Sequence, residues 1–381
     1  MNIGILTFHC AYNYGAVLQC YALQKHLESL GFNVTIINYT PFYLASKRPK
    51  VNLRTFVNRH PILSLNRYIS FTSKLQRQFD KFLEFSDLHL NLSKKCKSYD
   101  QLSSVISSLD TIIIGSDQVW SETFNGKDSV WYGQFPNFKG RVITYAASAG
   151  DVNKFKTNIP EVLEAIKRFD SISVREVDLQ NTLSEYGVND AVTVVDPTLL
   201  LDKKSWSVFL DKPIESEKYI LVYQGRDDDA LMNYAKSFGT IHHCKVISCD
   251  FYANSFQDGI SQCVAGPKEF LNLVHNAFCV ITSSFHGTAL SILLETRFFA
   301  FFKGDGGDIR AKALLESLNL CNRIIDRNSL PCANEEIDWN TVEEKITLLK
   351  ERANKYLLEK CMNNRLDYID KLRGFAILCV L

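Results

Sequence analysis

The chain has 381 residues, 46% of them hydrophobic and 22% charged, with a formal net charge of +1. That length holds two packed domains. The composition is that of a protein with a core, and the balanced charge excludes a global pull toward nucleic acid. The eleven cysteines form no CxxC pair. The closest two, Cys244 and Cys249, have no histidine-rich partner to complete a zinc pattern, so they read as buried thiols in a reducing compartment and no metal is expected. The N-terminus runs straight into Ile3-Gly-Ile-Leu-Thr-Phe8, without the basic and apolar regions of a signal peptide.

Residues 2–8 read as a first strand and the loop 9–15 follows. Apolar residues at 17, 18, 21, 22, 23, 27 and 30 then mark a helix that stops at Gly31. Residues 33–39 are a second strand, which completes a βαβ start. The loop is not GxGxxG, so a dinucleotide site is not expected. Asn13, Tyr14 and Gly15 stand where a ligand would lie, or else form a plain turn. Residues 41–79, inside an insertion taken as 41–86, contain no Asp or Glu and interleave eight Lys and Arg with aromatic residues. Such a segment lies on an anionic membrane surface or holds a phosphorylated lipid carrier, or is simply a solvated insertion.

Residues 98–109 read as a helix. Thr111-Ile-Ile-Ile-Gly-Ser-Asp-Gln-Val-Trp120 is a buried strand ending in polar residues, where Asp117 serves as an acid or base or as a cap. Residues 141–148 form a strand, 162–169 a helix, and 171–175 a short strand ending on Arg175. A helix to Gly187 and a strand over 191–195 follow. Asp196-Pro197 breaks the pattern, and the domain boundary is placed just after it. The second part repeats the alternation: strands at 219–224, 244–249 and 298–303, helices at 228–238, 268–277 and 310–318, and a long helix over about 342–362.

The most informative stretch is 278–295. An apolar run, Phe278 to Ile281, meets Thr282, Ser283, Ser284, His286 and Gly287, and Leu290, Ile292, Leu293 and Leu294 then recur as on a helix. Ligands bind at strand ends in open α/β sheets, and a helix N-terminus of small residues offers free N–H groups to an anion. His286 in that turn is placed to touch a phosphate or move a proton, or only to fill the turn. Strands alternating with helices imply parallel sheets, and two such halves enclose a cleft.

These residues resemble the polysaccharide pyruvyl transferase family. The matching pieces are Asn13-Tyr-Gly-Ala-Val-Leu-Gln19, Gly115-Ser-Asp-Gln-Val-Trp120, Tyr145-Ala-Ala-Ser148, Val174-Arg-Glu176, Val195-Asp-Pro197, Ser283-Ser-Phe-His-Gly287 and Arg310 with its helix. The resemblance implies an α/β fold of two Rossmann-like domains in a GT-B-like arrangement with a central cleft. These would be 1–198 on the acceptor side and 199–340 on the donor side, followed by a helix over 341–364. The implied activity is transfer of a pyruvyl group from phosphoenolpyruvate onto two hydroxyls of a sugar, making a ketal and releasing phosphate, without metal or cofactor.

On this reading Asp117 and His286 carry the proton transfers. Arg175, Arg310, Ser283, Ser284, Gly287 and Thr288 bind the donor. Asn13, Tyr14, Gly15, Gln19, Ser116, Gln118 and Ser148 bind a sugar acceptor, lipid-linked or else free or nucleotide-linked, at the inner face of the membrane and without nucleic acid. One departure stands out: better-known members carry Arg where this chain has Ser284, so Arg310 or Arg226 substitutes, or the donor differs. The alternatives are a GT-B glycosyltransferase using a nucleotide sugar and a non-catalytic scaffold of polysaccharide assembly. Finally, 365–381 resembles the opening of the membrane-bound sugar O-acyltransferases (acyltransferase 3 family), and the expectation is a module joined to such a domain, or else a native C-terminal helix that docks on the core.

Overall fold

A computed structural model describes residues 1–45, 65–135, 137–211, 213–250, 259–304, 306–329 and 336–361. Much of the basic segment and all of 365–381 lie outside the described residues. The first sheet has strands β1 (Asn2–Leu6), β2 (Asn33–Ile36), β3 (Thr111–Ile114) and β4 (Arg141–Thr144) in the order β2-β1-β3-β4. All neighbours are parallel. Backbone bridges from Ile143 to Ser171 and from Ala147 to Val174 extend it onto the paired strands β5 (Ser173–Val174) and β6 (Val192–Thr193).

The second sheet holds β7 (Tyr219–Tyr223), β8 (Lys245–Ser248), β9 (Ile260–Gln262), β10 (Cys279–Thr282), β11 (Phe298–Phe301) and β12 (Ile324–Ile325). Its order is β12-β11-β10-β7-β8-β9, again all parallel. Strands β9 and β12 escape a reading by hydrophobic runs, because they are only three and two residues long.

The helices that matter for the site are α1 (Tyr14–Ser29), α2 (Leu65–His89), α3 (Val152–Ile166), α4 (Val177–Glu185), α5 (Pro267–Asn276), α6 (Phe285–Leu293), α7 (Ile309–Ser317) and α8 (Trp339–Cys361). Helix α3 begins ten residues earlier than the pattern implies, because Pro160 lies inside it. A proline normally ends a helix. Here Asp151 caps the start by accepting from the Lys154 N–H, and Phe155, Ile159 and Ile166 are buried, so tertiary packing overrides the local preference. Helix α2 takes up the end of the basic segment and turns Leu75, Phe79, Phe82 and Phe85 into the interior. Of the segment 41–79 itself, Leu75 and Phe79 thus serve packing.

Strand side chains alternate between faces, and the two sheets use this to share one core. Ile3, Ile5, Ile113 and Ile143 of the first sheet fall in the same apolar cluster as Tyr219, Leu221, Tyr223, Val280 and Phe298 of the second. The opposite faces bury separate clusters: Leu6, Ile112 and Ile114 in one, Ile220, Val222, Ile281 and Phe299 in the other. Helix α8 returns from the second part to the first, where Tyr356 Oη donates to the Thr144 carbonyl at 2.8 Å. No described helix is long and apolar enough to cross a membrane.

Tyr14 is the tightest of the links between halves. Its ring stacks on Phe270 of α5 with centroids 4.1 Å apart. Its hydroxyl donates to the Ala265 carbonyl at 2.8 Å and accepts from Gln78 of α2. Tyr14→Phe keeps the stack but leaves the buried Ala265 carbonyl without this donor and the Gln78 amide with the Cys249 carbonyl alone. The expected loss is about 1–3 kcal/mol in chemical denaturation; an unchanged midpoint would show that the hydroxyl does not join the halves.

Candidate active site

The site is built where β3, β4 and β5 of the first sheet end and α6 of the second part begins. Asp196 stands at its centre, buried on the junction between the halves. Its Oδ1 accepts from the Thr198 N–H at 2.9 Å and Thr198 Oγ1 at 2.6 Å. Its Oδ2 lies 2.7 Å from Arg175 Nη2 and 3.6 Å from His286 Nε2, the latter longer than a hydrogen bond. Arg175 Nη2 also donates to Ser116 Oγ at 2.5 Å. Burial alone would push the Asp196 carboxyl up. The guanidinium of Arg175, then His286, with Thr198 donating, overcome that and hold it well below the usual carboxylate range.

His286 lies in the first turn of α6, where Ser284 occupies the N-cap position without a capping side-chain bond. The imidazole packs against α1 of the other half: a Cβ added at Gly15 would lie 2.1 Å from His286 Nδ1. Gly15 is therefore required by a close approach, not by a turn. Thr282 Oγ1 and Tyr223 crowd Gly287 in the same way. Of the other residues expected there, Ser283 Oγ accepts from the Gly225 N–H at 3.2 Å and Thr288 Oγ1 donates to the Ser284 carbonyl at 3.2 Å.

Two guanidiniums converge on the Phe285 ring, Arg175 at 4.9 Å and Arg310 of α7 at 5.9 Å. Burial first, and the like charge of Arg175 second, lower the affinity of Arg310 for its proton. With its oxygen turned toward it, the Gln118 amide accepts from both Arg310 Nη1 and Nη2 at 3.1 Å. No carboxylate lies within ion-pair distance of Arg310 among the described residues. Arg175 Nε and Nη1 and Arg310 Nε are buried without hydrogen-bond partners. Gly150, with φ of +75°, leaves the space that Gln118 fills, since a Cβ there would lie 2.2 Å from an atom of the Gln118 amide.

Asp117 also has positive φ, +79°, uncommon outside glycine. Its Oδ1 accepts from the Gln118 N–H at 2.8 Å, and its charge is felt by Arg310. Ser148 donates to Glu176 Oε1 at 2.5 Å. Gln19 donates to Thr7 Oγ1 at 2.9 Å, and Thr7 donates to the Ser116 carbonyl at 2.8 Å, bracing the loop behind Arg175. Thus Ser116, Gln118, Ser148 and Gly15 meet Arg175, Arg310 and His286 in one cluster. Exposed Asn13 caps α1 by accepting from the Ala16 N–H, and Tyr14 serves the contact between halves described above.

Asp196 and Glu176 join the site unannounced. Both lie in motifs read from the sequence, Val195-Asp-Pro197 and Val174-Arg-Glu176, but the first reads there as a chain break. Arg175, Asp196, Phe285 and Arg310 line a cavity of about 730 Å³, closed on its other side by Leu349, Arg352 and Tyr356 of α8. Among the described residues no group of His, Cys, Asp and Glu could hold a metal ion.

The polysaccharide pyruvyl transferase profile matches residues 13–301. The chain belongs to the polysaccharide pyruvyl transferase family. It is an enzyme, of transferase type, with a sugar-modifying site. A search of curated proteins found no match. Among solved structures the chain is similar to a UDP-N-acetylglucosamine 2-epimerase from Rickettsia bellii, at 12% identity over 98% of this chain and 99% of that one, with a TM-score of 0.47. It is also similar to the Methanocaldococcus jannaschii UDP-GlcNAc 2-epimerase in complex with UDP-GlcNAc and UDP, at 12% identity over 92% and 100%, TM-score 0.45. A third is Arabidopsis thaliana UGT89C1 complexed with UDP-L-rhamnose, at 13% identity over 97% of each chain, TM-score 0.46.

Replacing Asp196 with Asn leaves Arg175 as an uncompensated buried charge. The expected cost is about 3–5 kcal/mol. Because the folded-state affinity of Asp196 for a proton is depressed, its contribution is present above the ordinary carboxylate value of 3.8 and is lost as pH falls below it. Asp196→Asn should therefore flatten the acid limb of stability against pH. Denaturant unfolding at a series of pH values reads both effects, and an unchanged limb would remove the carboxylate from this role.

Proposed function

We propose that the chain moves a pyruvyl group from phosphoenolpyruvate to two hydroxyls of a sugar, in a cell-surface polysaccharide or its precursor, forming a pyruvate ketal. The observation that carries this reading is the pair of guanidiniums at the first turn of α6. They are like charges brought together; among the described residues only Arg175 has a carboxylate within ion-pair distance, and three of their nitrogens have no acceptor there. An anion with separate carboxylate and phosphate groups meets both cations, and charge-assisted hydrogen bonds to such groups are the strong ones. The first-turn N–H groups of α6 add the positive end of a helix. His286, held between Gly15 and Asp196, is placed to take the proton of an attacking hydroxyl, with the carboxylate stabilising the imidazolium that forms. Membership of the family supports the same assignment.

The cavity keeps a second reading in view. Its volume falls in the range of about 300–1,000 Å³ typical of sites for drug-sized ligands, more than a three-carbon donor fills. A sugar acceptor occupies the remainder in pyruvyl transfer. In the second reading, a GT-B glycosyltransferase, a nucleotide sugar occupies it, and the UDP-sugars named with the solved structures above belong to that reading.

The discriminating experiment is thermal unfolding with phosphoenolpyruvate, set against UDP-sugars. A ligand at about 100 times its Kd adds roughly 2.7 kcal/mol to the folded state. Pyruvyl transfer expects a raised midpoint with phosphoenolpyruvate, lost in Arg310→Ala. A rise with UDP-sugars alone would transfer the assignment to the second reading. His286→Ala is expected to lower turnover by about 10²–10⁴-fold, the range for a positioned acid or base, with the donor-induced shift retained; a wild-type rate would take His286 off the reaction path.

A further inference from the structure

Glu176 follows Arg175 and stands at the N-cap position of α4, yet its side chain makes no capping hydrogen bond. It is turned inward instead, with 2% of its surface exposed. Ser148 Oγ donates to Oε1 at 2.5 Å, and the Gly150 N–H donates to that Oγ at 3.1 Å. The hydroxyl is thereby fixed as a donor toward the carboxyl. The other oxygen, Oε2, is buried and has no hydrogen-bond partner. A buried carboxylate without an ion pair is strongly disfavoured, so this side chain is unlike a structural ion-pair partner. It also stands beside the two cations. Arg175 is its chain neighbour, and Arg175 and Arg310 both act on it electrostatically.

The two cations account for the charges of the donor but not for its protonation. The enol methylene has to gain a proton before its neighbouring carbon becomes an electrophile. Asp196 cannot give one, since Arg175 and Thr198 hold it as a carboxylate. Building on the pyruvyl-transfer reading, we infer that Glu176 is the proton donor to the methylene carbon of the enolpyruvyl group, with Ser148 orienting its carboxyl. Burial pushes that carboxyl up, against the opposing pull of Arg175, Arg310 and Ser148, which is the direction a proton donor needs.

The step balances. The Oε2–H bond breaks and a C–H bond forms, making a methyl group and a cationic carbon that still bears phosphate. One sugar hydroxyl adds to that carbon and gives its proton to His286. The second hydroxyl then forms a C–O bond as the C–O bond to phosphate breaks. Its proton returns to Glu176, and the proton on His286 leaves with the phosphate. The diol thus loses two protons: one is matched by the methyl group and one by hydrogen phosphate.

The test uses Glu176→Gln, which keeps shape and can still accept from Ser148 but has no acidic proton. Phosphate release from phosphoenolpyruvate is followed against pH with a panel of hexosides bearing free diols, alongside thermal unfolding with and without the donor. The charged groups acting on Glu176 are Arg175 and Arg310. The expected result is a loss in kcat of about 10²–10⁴-fold with the donor-induced shift retained. Wild-type activity should decline toward alkaline pH as Glu176 loses its proton, and the variant's residual activity should lack that limb.

Ser148→Ala should fall between the two. A Glu176→Gln rate within threefold of wild type, or the same alkaline limb in the variant, overturns the inference while leaving pyruvyl transfer intact. If wild-type protein shows neither a donor-induced shift nor phosphate release, pyruvyl transfer itself fails, and the inference fails with it.

Discussion

The arrangement of the site depends on one buried carboxylate. Asp196 takes Arg175 from the end of β5 and faces His286 at the start of α6, so a single side chain sets the relation between a cation of one half and an imidazole of the other. A lone buried anion would be strongly unfavourable. Five neighbouring polar groups make it tolerable: the Arg175 guanidinium, both donors of Thr198, Ser116 Oγ at 3.5 Å and His286. The same contacts that stabilise Asp196 fix the rotamers of Arg175 and Ser116. Stability and preorganisation therefore have one origin here, and neither can be altered without the other.

The position of that carboxylate follows from the sheets. Both are parallel, so all strands of a sheet end on the same side, and the two sheets share one apolar cluster between them. The polar loops after β3, β4 and β10 are thereby brought to a common edge. Two glycines set how close these loops come. Gly15 admits the imidazole of His286 and Gly150 admits the amide of Gln118, and in both places a methyl group would overlap the neighbouring side chain. The loops are polar because the apolar part of each strand is spent on the core, and they are short because a longer loop would not hold Asp117 and Gln118 against Arg310.

Strand β10 and helix α6 were plain in the sequence, since a continuous apolar run changes to helical spacing across Thr282–His286. The alternation of strands and helices likewise declared parallel sheets. What stayed hidden follows from long-range geometry. Pro160 masks the first turns of α3, which packing stabilises regardless. The partnership of Asp196 with Arg175 spans a separation that no local pattern encodes, and the dipeptide Asp196-Pro197 has an ordinary reading as a break. Glu176 stands in the motif Val174-Arg-Glu176 with nothing local to give it a role, and only the inward turn of its side chain brings it to the site. Asn13 and Tyr14 mark the reverse case. They sit at a strand–helix junction that suggests a ligand, yet their side chains cap α1 and tie the halves together.

The serine at position 284 is accommodated by the same geometry. Where a cation would have entered the turn from α6 itself, Arg310 enters from α7 and lies over the ring of Phe285, one residue further along. The Gln118 amide holds its fork from the opposite side, so a planar guanidinium, with its fixed donor directions, is oriented before any ligand arrives. A residue on α6 would move with His286, whereas Arg310 is set by the loops of the first sheet. On the proposed reading, an anion held by Arg175 and Arg310 would join β5 and the β3 loop to α7.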